Sequence, residues 1–390
     1  MSHAGDDPDA ADARAMLARL VAFPTVSQDS NLDLVGFVER HLAGLGVASA
    51  RVPDATGTKA ALIARIGPAV PGGVVLSGHT DVVPVAGQDW TSDPFVMTER
   101  DGRLYGRGTC DMKGFIACAL ALAPEMLAAG LARPIYFALS YDEEIGCLGA
   151  PPMIDRLLVD QPRPEAVIVG EPSMMRVVTG HKGSWGFRAH VRGHEVHSSR
   201  IDAGVSAVMT AARLIAWMDE TMAANARAAG PSGFEPPYTT LHVGTIEGGT
   251  AANIVARDCH FSGEIRALPD ESVAGWRRRL LAEAARLEAA AKAIHPDAAI
   301  TVTTRMEMKG FVPELDGVAE RLARALTGDN ARHVVSYQTE AGQFQDKGLS
   351  TVICGPGSID QAHQPDELIS IEQLEAGTAF LRRLIARLAA

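Results

Sequence analysis

The sequence predicts an α/β domain with a mostly parallel sheet, interrupted by an inserted α+β domain of ferredoxin-like order. Continuous apolar runs that end abruptly in polar or acidic residues are typical of central parallel strands. Four such runs occur, at 74–81, 134–144, 166–172 and 351–357. Helical patterns lie between and around them, at 12–21, 32–45, 115–129, 149–158 and 372–388. A chain of 390 residues also exceeds the size at which one core usually stops growing, so two domains are expected.

The insert is indicated by a change of pattern between about residues 181 and 308. Its strand-like segments alternate apolar and polar residues, as half-solvated antiparallel strands do: SWGFRAHVRG, TTLHVGTIEGG, CHFSGEIRAL and AITVTTRMEM. Amphipathic helices at 205–222 and 272–292 complete the order strand, helix, strand, strand, helix, strand, with a flexible excursion expected at 223–237. We therefore expect a first domain at 1–179 that resumes at 311–390, with the insert at 180–310.

Composition and charge exclude several classes of protein. The acidic N-terminus has no apolar stretch behind a basic start, so no secretory signal is expected. The longest apolar run, 115–127, contains Pro124 and Glu125 and is shorter than the roughly 20 residues of a membrane helix. A net charge of -11 disfavours nucleic acid as a partner, and five scattered cysteines without a CxxC pair indicate a reducing compartment. A cytoplasmic protein without a membrane span is expected.

Metal-binding residue types follow the predicted strands. They are His79 and Asp81 after the first run, Glu143 and Glu144 after the second, Glu171 after the third, His363 beyond the fourth, and Asp111 in the glycine-flanked loop GRGTCDMKG. Open α/β sheets place their functional crevice at the carboxyl ends of the strands. Imidazole and carboxylate without thiolate suit zinc, cobalt or manganese, and several carboxylates can offset two dications. A two-metal site is predicted, although each residue taken singly could be an ordinary hydrogen-bonded loop residue.

Five motifs carry a family resemblance: SGHTDVVP, GRGTCDMKG, SYDEEIG, VGEPS and QAHQPDE. In this order they resemble the aminoacylase and carboxypeptidase family of dinuclear zinc hydrolases, in its acetylornithine deacetylase and succinyl-diaminopimelate desuccinylase branch. The resemblance covers nearly the whole chain, and SQDSNLDLVG, EEIGCLGA and GHKGSWGF are closer to the deacetylase. It implies a bridging carboxylate, two ligands for each ion and a general base: Asp111 as the bridge, His79 and Glu171 on one ion, Glu144 and His363 on the other, and Glu143 as the base.

The implied chemistry explains why these residue types are needed. Amide hydrolysis requires a nucleophile at neutral pH, and a metal ion lowers the pKa of bound water from 15.7 to about 7. A carboxylate that is not a ligand can take the proton, a contribution of about 10²–10⁴-fold, so adjacent Glu143 and Glu144 fit one base and one ligand. Asp81 lies two residues after His79, on the same side of an extended chain. We expect it to hold the second imidazole nitrogen, with a turn-starting aspartate as the alternative.

The insert is expected to contribute residues to the substrate. By the resemblance, His197 in GHEVHSS reaches across a homodimer interface and stabilises the oxyanion. Asn253 and Arg266 bind the α-carboxylate of the substrate, for which the planar fork of arginine is suited. The alternatives are an exposed loop histidine for His197 and a structural salt bridge for Arg266.

Two further positions in the last third of the chain complete the expected site. Glu340, in QTEAGQF, is hypothesised to bind the side-chain ammonium of ornithine, with an exposed loop glutamate as the alternative. Gly355, together with Gly357, is expected to let the backbone approach the substrate closely.

The function expected from these features is removal of the acyl group from an N-acyl amino acid. The resemblance implies N2-acetyl-L-ornithine as substrate, with L-ornithine and acetate as products, as in arginine biosynthesis, and two Zn²⁺ or Co²⁺ ions as cofactors. Alternatives within the family are succinyl-diaminopimelate desuccinylase, another aminoacylase or a dipeptidase. An inactive dimeric metal-binding scaffold is the alternative of another class, and the presence of Glu143 disfavours it, since a scaffold needs no base.

Overall fold

The structure of the protein is a computed structural model that describes residues 12–314 and 316–389. The described residues divide into two compact units. The first unit comprises 12–179, Pro313–His333 and 339–389, and the second comprises Gly180–Val312 and Val334–Gln338. The return of 334–338 to the second unit is a feature that no sequence pattern indicated.

The helices and strands are numbered in chain order. The helices are α1 (Ala13–Val21), α2 (Leu32–Gly44), α3 (Lys113–Ala121), α4 (Ala123–Ala128), α5 (Ala150–Asp160), α6 (Ala207–Ala228), α7 (Val273–Lys292), α8 (Val318–Thr327), α9 (Ala341–Asp346) and α10 (Ile371–Ala389). The strands are β1 (Ser49–Pro53), β2 (Ala60–Ile66), β3 (Val74–His79), β4 (Thr98–Arg100), β5 (Arg103–Tyr105), β6 (Ile135–Ser140), β7 (Ala166–Pro172), β8 (Val178–His181), β9 (Gly183–Arg192), β10 (Thr240–Gly248), β11 (Asp258–Ala267), β12 (Ala299–Met308), β13 (His333–Val335), β14 (Thr351–Gly355) and β15 (Leu368–Ser370).

A large sheet forms the centre of the first unit. Among the described residues its order is β1-β2-β6-β3-β7-β14-β8-β13. The central strands β6, β3, β7 and β14 run parallel, while β1, β2 and β8 pair antiparallel. Every residue of β3, β6 and β7 is buried, because helices cover both faces of a parallel sheet and leave no solvated side. The predicted α/β class with a mostly parallel sheet is confirmed.

Helix α3 explains the continuous apolar run after residue 113. All of its residues are buried, which is the pattern of a helix surrounded by other elements. The single helix predicted at 115–129 is wrong in one respect: it divides into α3 and α4, with Pro124 in the first turn of α4. Proline removes an intrahelical hydrogen bond in a helix interior but is tolerated in a first turn.

The second unit contains an antiparallel sheet in the order β10-β11-β9-β12, with α6 and α7 packed against it. Its chain order β9, α6, β10, β11, α7, β12 is the ferredoxin-like order that was predicted. Trp185, Phe187, Ala189 and Val191 alternate along β9 into its core. Ser206 begins α6 by accepting a hydrogen bond from the Met209 amide at 3.2 Å, a typical N-cap.

Helix α6 is longer than the sequence pattern indicated. It continues to Ala228, so the flexible excursion expected at 223–237 begins as helix. Residues 223–228 are Ala, Ala, Asn, Ala, Arg and Ala, mostly strong helix formers, and the first glycine follows at Gly230. Within the described residues, no helix has both the length and the hydropathy that a bilayer crossing requires.

Candidate metal centre

Asp111 lies between two imidazoles. Its Oδ1 is 3.1 Å from Nε2 of His79, and its Oδ2 is 3.2 Å from Nε2 of His363. The carboxylate is 5% exposed, so it is held by protein groups. Each oxygen of Asp111 thus faces a different histidine, which is the arrangement of a carboxylate that can bridge two cations.

The sheet explains why these segments meet. His79 ends β3, Glu171 is the penultimate residue of β7, and Glu143 and Glu144 follow β6. Because β6, β3 and β7 are adjacent and parallel, their carboxyl ends share one edge. Asp111 lies two residues before α3, which packs on β3 and β7.

A second carboxylate accompanies each imidazole. Glu171 Oε1 lies 3.8 Å from His79 Nε2, and Glu144 Oε2 lies 2.9 Å from His363 Nε2. Among the described residues, Oε1 of Glu144 and Oε1 of Glu171 are buried without a hydrogen-bond partner. A buried carboxylate oxygen without a partner carries a desolvation cost, which a bound cation would offset.

Glu143 lies close to the same centre. Ligand atoms of His79, Glu143 and Glu171 lie within 4.8 Å of one another, as do those of His79, Asp111 and Glu144. Oε1 of Glu143 accepts a hydrogen bond from the Cys147 thiol at 3.2 Å. The structure therefore brings both members of the Glu143–Glu144 pair to the cluster.

Asp81 orients the cluster in a way that the sequence indicated only in part. Its backbone oxygen lies 2.9 Å from Nδ1 of His79, whereas its carboxylate Oδ1 is 3.6 Å from the same nitrogen. The carboxylate accepts hydrogen bonds from the amides of Glu143 and Glu144, at 3.2 and 3.3 Å, and from the Ser27 hydroxyl at 2.6 Å. One residue thus orients the imidazole through its backbone and fixes the turn of the glutamate pair through its side chain.

The electrostatics of the cluster show an excess of negative charge. Burial and the neighbouring Asp111 carboxylate raise the pKa of Glu144 to about 7, and burial likewise raises the pKa of Glu171 and Glu143. Hydrogen bonds to Asp111 and Glu144 raise the pKa of His363 to about 10. Positive charge is therefore stabilised here, whether it is supplied by protons or by metal ions.

Electrostatics also distinguish Asp111 from the other acids. Burial acts to raise the pKa of Asp111, but hydrogen bonds from His363 and His79 outweigh burial and hold that pKa below its ordinary value. Burial alone would lower the pKa of His79, yet the carboxylates of Asp111 and Glu171 raise it. Asp111 is thus the carboxylate of the cluster that favours the ionised form most strongly.

The donor set fits divalent metal ions of the zinc class. The cluster offers imidazole nitrogens and carboxylate oxygens, a combination that suits zinc, cobalt or manganese. The nearby thiols are engaged as hydrogen-bond donors: Cys110 donates to the Ser358 carbonyl at 3.2 Å, and Cys147 donates to Glu143. The residues around Asp111 are therefore candidate metal ligands.

In the second unit, the segments that carry His197 and Asn253 are adjacent, whereas Arg266 lies far from both. The Asn253 carbonyl accepts a hydrogen bond from the Ser198 amide at 3.0 Å. The exposed His197 side chain contacts the Ser199 hydroxyl through Nδ1 at 2.8 Å. Both segments adjoin the β9–β11 end where Asp258 pairs with Arg192, while Arg266 pairs with Ser184 at the opposite end. At about 3.3 Å per residue, the two ends are roughly 26 Å apart. Arg266 also forms an ion pair with Glu264 at 3.0 Å.

Glu340 and Gly355 lie inside the first unit. Glu340 is 1% exposed, and its Oε2 accepts a hydrogen bond from the Ser77 hydroxyl at 2.9 Å. Gly355 has a packing reason to be glycine, because a Cβ there would lie 2.0 Å from the Gly170 carbonyl oxygen on β7.

Sequence reasoning missed three residues around the centre: Ser27, Arg107 and Glu367. The Ser27 hydroxyl donates a hydrogen bond to Asp81. Oε1 of Glu367 accepts a hydrogen bond from the Asp111 amide at 3.0 Å, and Oε2 of Glu367 pairs with Arg107 at 2.7 Å. The motif QAHQPDE ends in Glu367, and an acid in a motif that contributes a metal ligand was a usable signal. Ser27 offered no such signal, because its contact spans 54 residues of sequence.

Comparison with known proteins decides the family. Residues 75–387 match the profile of Peptidase family M20/M25/M40. The chain belongs to this family. Curated relatives include an acetylornithine deacetylase of Myxococcus xanthus, 34% identical over 96% of both chains, and one of Pasteurella multocida, 31% identical over 95% of this chain and 97% of the relative. The resemblance stated from the motifs is thus confirmed.

Solved structures show the same fold at low identity. An M20 family metallo-carboxypeptidase from Sulfolobus solfataricus superposes with a TM-score of 0.78 at 17% identity, covering 97% of this chain and 99% of the other. Human carnosine dipeptidase 1 gives a TM-score of 0.72 at 18% identity over 98% of both chains. This M20 family protein is a hydrolase, a metal-dependent aminoacylase or peptidase.

Proposed function

We propose that this M20 enzyme hydrolyses the amide bond of an N-acyl amino acid, with N2-acetyl-L-ornithine as substrate and L-ornithine and acetate as products. The observation that carries the proposal is the placement of Asp111, whose two oxygens face His79 and His363. The acetylornithine deacetylases at 31% and 34% identity support the choice of substrate.

Two divalent ions, Zn²⁺ or Co²⁺, are proposed as cofactors. His79 and Glu171 would hold one ion, Glu144 and His363 the other, and Asp111 both. The buried oxygens of Glu144 and Glu171 that lack partners support this assignment. When bound, the ions would polarise the amide carbonyl and lower the pKa of water.

Glu143 is proposed as the general base. It takes the proton of the attacking water and passes it to the nitrogen of the leaving amine, so the carboxylate is regenerated in each turnover. Its position supports this role, since it lies within 4.8 Å of ligand atoms of His79 and Glu171. The Asp81 carboxylate fixes the backbone amide of Glu143, and the Cys147 thiol fixes its Oε1.

The substrate carboxylate and the developing oxyanion are proposed to be bound by the insert in a homodimer. Arg266 would bind the carboxylate, with Asn253 as a second donor, and His197 would stabilise the oxyanion. Within one insert, Arg266 lies at the opposite end of the β9–β11 pair from His197 and Asn253. This separation supports the assignment of His197 to the active site of a second copy, and we extend that assignment to Asn253, because its segment adjoins that of His197.

Glu340 is proposed to bind the side-chain ammonium of ornithine, and Gly355 to bring backbone close to the substrate. Oε1 of Glu340 is buried without a well-aligned hydrogen bond among the described residues, although the Ser140 side chain lies within reach of the carboxylate, so this oxygen can accept from an ammonium. A cytoplasmic location is also proposed, supported by the five free, buried cysteines of the chain.

The proposal is tested with purified protein stripped of metal and reloaded with zinc or cobalt. kcat/KM would be measured for N2-acetyl-L-ornithine, N-acetyl-L-methionine, N-succinyl-diaminopimelate and a dipeptide. We expect the highest kcat/KM for N2-acetyl-L-ornithine, and no hydrolysis of any substrate by the metal-free protein. A higher value for another substrate would overturn the substrate assignment, and hydrolysis by metal-free protein would overturn the metal centre.

The Glu340→Gln variant tests the specificity residue. Its kcat/KM should fall further for N2-acetyl-L-ornithine than for N-acetyl-L-methionine, because only the first substrate carries a side-chain ammonium. Equal losses on both substrates would show that Glu340 supports the fold and does not recognise the side chain.

A further inference from the structure

The carboxylate of Glu367 connects the two segments that carry Asp111 and His363. Oε1 of Glu367 accepts hydrogen bonds from the amides of Gly108, Cys110 and Asp111, at 3.1, 3.0 and 3.0 Å. Glu367 lies four residues after His363 and is 1% exposed. Hydrogen bonds to a carboxylate are stronger than those to a neutral acceptor, so this single group fixes the Asp111 loop against the His363 segment.

Arg107 completes the connection from the other side. Its Nη1 lies 2.7 Å from Glu367 Oε2 and donates to the Gln364 carbonyl at 3.3 Å, and its Nη2 donates to Gln88 Oε1. Gln88 in turn donates to the backbone oxygen of His363 at 2.8 Å. Arg107 is 1% exposed, and its guanidinium lies 5.0 Å from the centre of the Trp90 ring. The guanidinium therefore reaches the His363 segment by two routes.

The two histidines differ in how their positions are fixed. His79 ends a fully buried strand, and its Nδ1 faces the Asp81 carbonyl at 2.9 Å. His363 lies in an irregular segment with a φ of 64°, and its side chain is 52% exposed. That backbone conformation is uncommon for residues other than glycine. The position of His363 therefore depends on hydrogen bonds from outside its own segment.

We infer that Arg107 and Glu367 are positioning residues whose main effect is on the affinity of one metal ion, the ion proposed on Asp111, Glu144 and His363. The inference rests on the proposed function, because it concerns a metal that this function requires. Groups that hold metal ligands in place contribute to metal affinity even though they do not touch the metal. Asp111 is shared by both proposed ions, so the ion on His79 and Glu171 also depends on the pair, but less. Among the described hydrogen bonds, the pair reaches only the Asp111 segment of that ion's ligands, whereas it reaches both the Asp111 and His363 segments for the other ion.

Three single variants test the inference. Glu367→Gln keeps an acceptor for the three amides but places a donor against Arg107. Arg107→Lys keeps the charge but lacks the fork that reaches Glu367, Gln364 and Gln88 together. Gln88→Ala leaves the buried ion pair intact, so it tests the contact to His363 even if the other two variants fail to fold. Arg133→Lys, in the exposed Arg133–Glu165 pair, is the matched control.

Zinc stoichiometry and both dissociation constants would be measured by competition with a chromophoric chelator at one pH. For Glu367→Gln and Arg107→Lys, one zinc affinity should fall about 10- to 100-fold, and the other should fall by a smaller factor because it shares only Asp111 with the pair. Gln88→Ala should weaken the same ion by a smaller factor, and Arg133→Lys should change neither. Saturating zinc should restore kcat in all three variants, with KM for substrate unchanged, which a general loss of structure would not produce.

A double variant identifies the ion concerned. Glu144→Gln should by itself weaken the ion shared with His363, and adding Glu367→Gln should then lower the affinity of the remaining ion no further than Glu367→Gln does alone, because Glu144 and Glu367 act mainly through the other ion. Equal weakening of both ions, no weakening in folded protein, or a loss at the remaining ion larger than the one Glu367→Gln causes alone would overturn the inference. Wild-type protein that binds no zinc would overturn the proposed function as well, so the two failures are distinguishable.

Discussion

The backbone amide of Glu143 donates a hydrogen bond to Oδ1 of Asp81 at 3.2 Å. The next amide, of Glu144, donates to Oδ2 of the same carboxylate at 3.3 Å. Asp81 therefore fixes the turn that presents the proposed base and one proposed ligand, and its backbone oxygen also orients His79. An aspartate expected to hold one imidazole thus positions groups from two strands of the sheet.

Replacement of Asp81 is expected to reduce catalysis without unfolding the protein. Asp81→Asn places an NH₂ group against an amide or hydroxyl donor, so the glutamate turn shifts, and kcat should fall about 10- to 100-fold. Ser27→Ala removes only the hydroxyl that donates to Asp81 Oδ2, so its kcat should fall less than that of Asp81→Asn. Steady-state kinetics at saturating zinc give both values. A larger loss in Ser27→Ala than in Asp81→Asn would contradict the role given to the carboxylate.

Variants of the adjacent glutamates Glu143 and Glu144 are expected to differ in how much zinc they bind. Glu143→Gln should lower kcat about 10²–10⁴-fold, the range for loss of a general base, while two zinc ions per chain remain bound. Glu144→Gln should lower the zinc content, because Glu144 lies 2.9 Å from His363 Nε2. Elemental analysis beside kinetics checks this. Loss of an ion in Glu143→Gln would show that Glu143 is a ligand and not the base. The measurement can decide between the two roles, because Glu143 lies close enough to His79 and Glu171 to share a metal ion with them.

The sequence predicted those parts of the site that lie on regular strands. His79 and Glu171 belong to continuous apolar runs whose buried, parallel arrangement follows from composition. The carboxyl ends of such strands meet by topology alone, so the approach of these residues to one another could be expected. Residues between the strands, such as Asp111 and His363, required the additional information of motif order.

The sequence could not show how the irregular segments are held. Glu367 accepts amides from residues more than 250 positions away, and Ser27 reaches Asp81 across 54 residues. Hydrogen bonds of this kind leave no periodic pattern, because each depends on the final placement of two loops. The short strands β4, β5 and β15 were missed for the same reason: each has three residues, too few for a recognisable alternation.

Gly355 is expected to tolerate no side chain. A Cβ there would lie 2.0 Å from the Gly170 carbonyl oxygen, and a backbone atom cannot move away as a side chain can. Gly355→Ala should therefore lower the free energy of unfolding by about 1–3 kcal/mol or more, measured by denaturant unfolding. Gly44→Ala is the matched control, since open space surrounds that position at the end of α2 and alanine should stabilise it by about 0.4–1 kcal/mol. Equal stability of the two variants would contradict the close approach of β7 and β14.

Removal of metal is expected to lower the stability of the first unit. Zinc that binds folded but not unfolded protein adds about 2.7 kcal/mol per site when its free concentration is 100 times its dissociation constant. A chelator should therefore lower the melting temperature, and returning zinc should restore it. The melting temperature of Glu144→Gln should rise less with zinc than that of the wild-type protein, because the ion shared with His363 is bound more weakly. Glu99→Gln, on the exposed strand β4, is the control and should match the wild-type protein. The same zinc-dependent increase in wild type and Glu144→Gln would mean that Glu144 does not hold an ion.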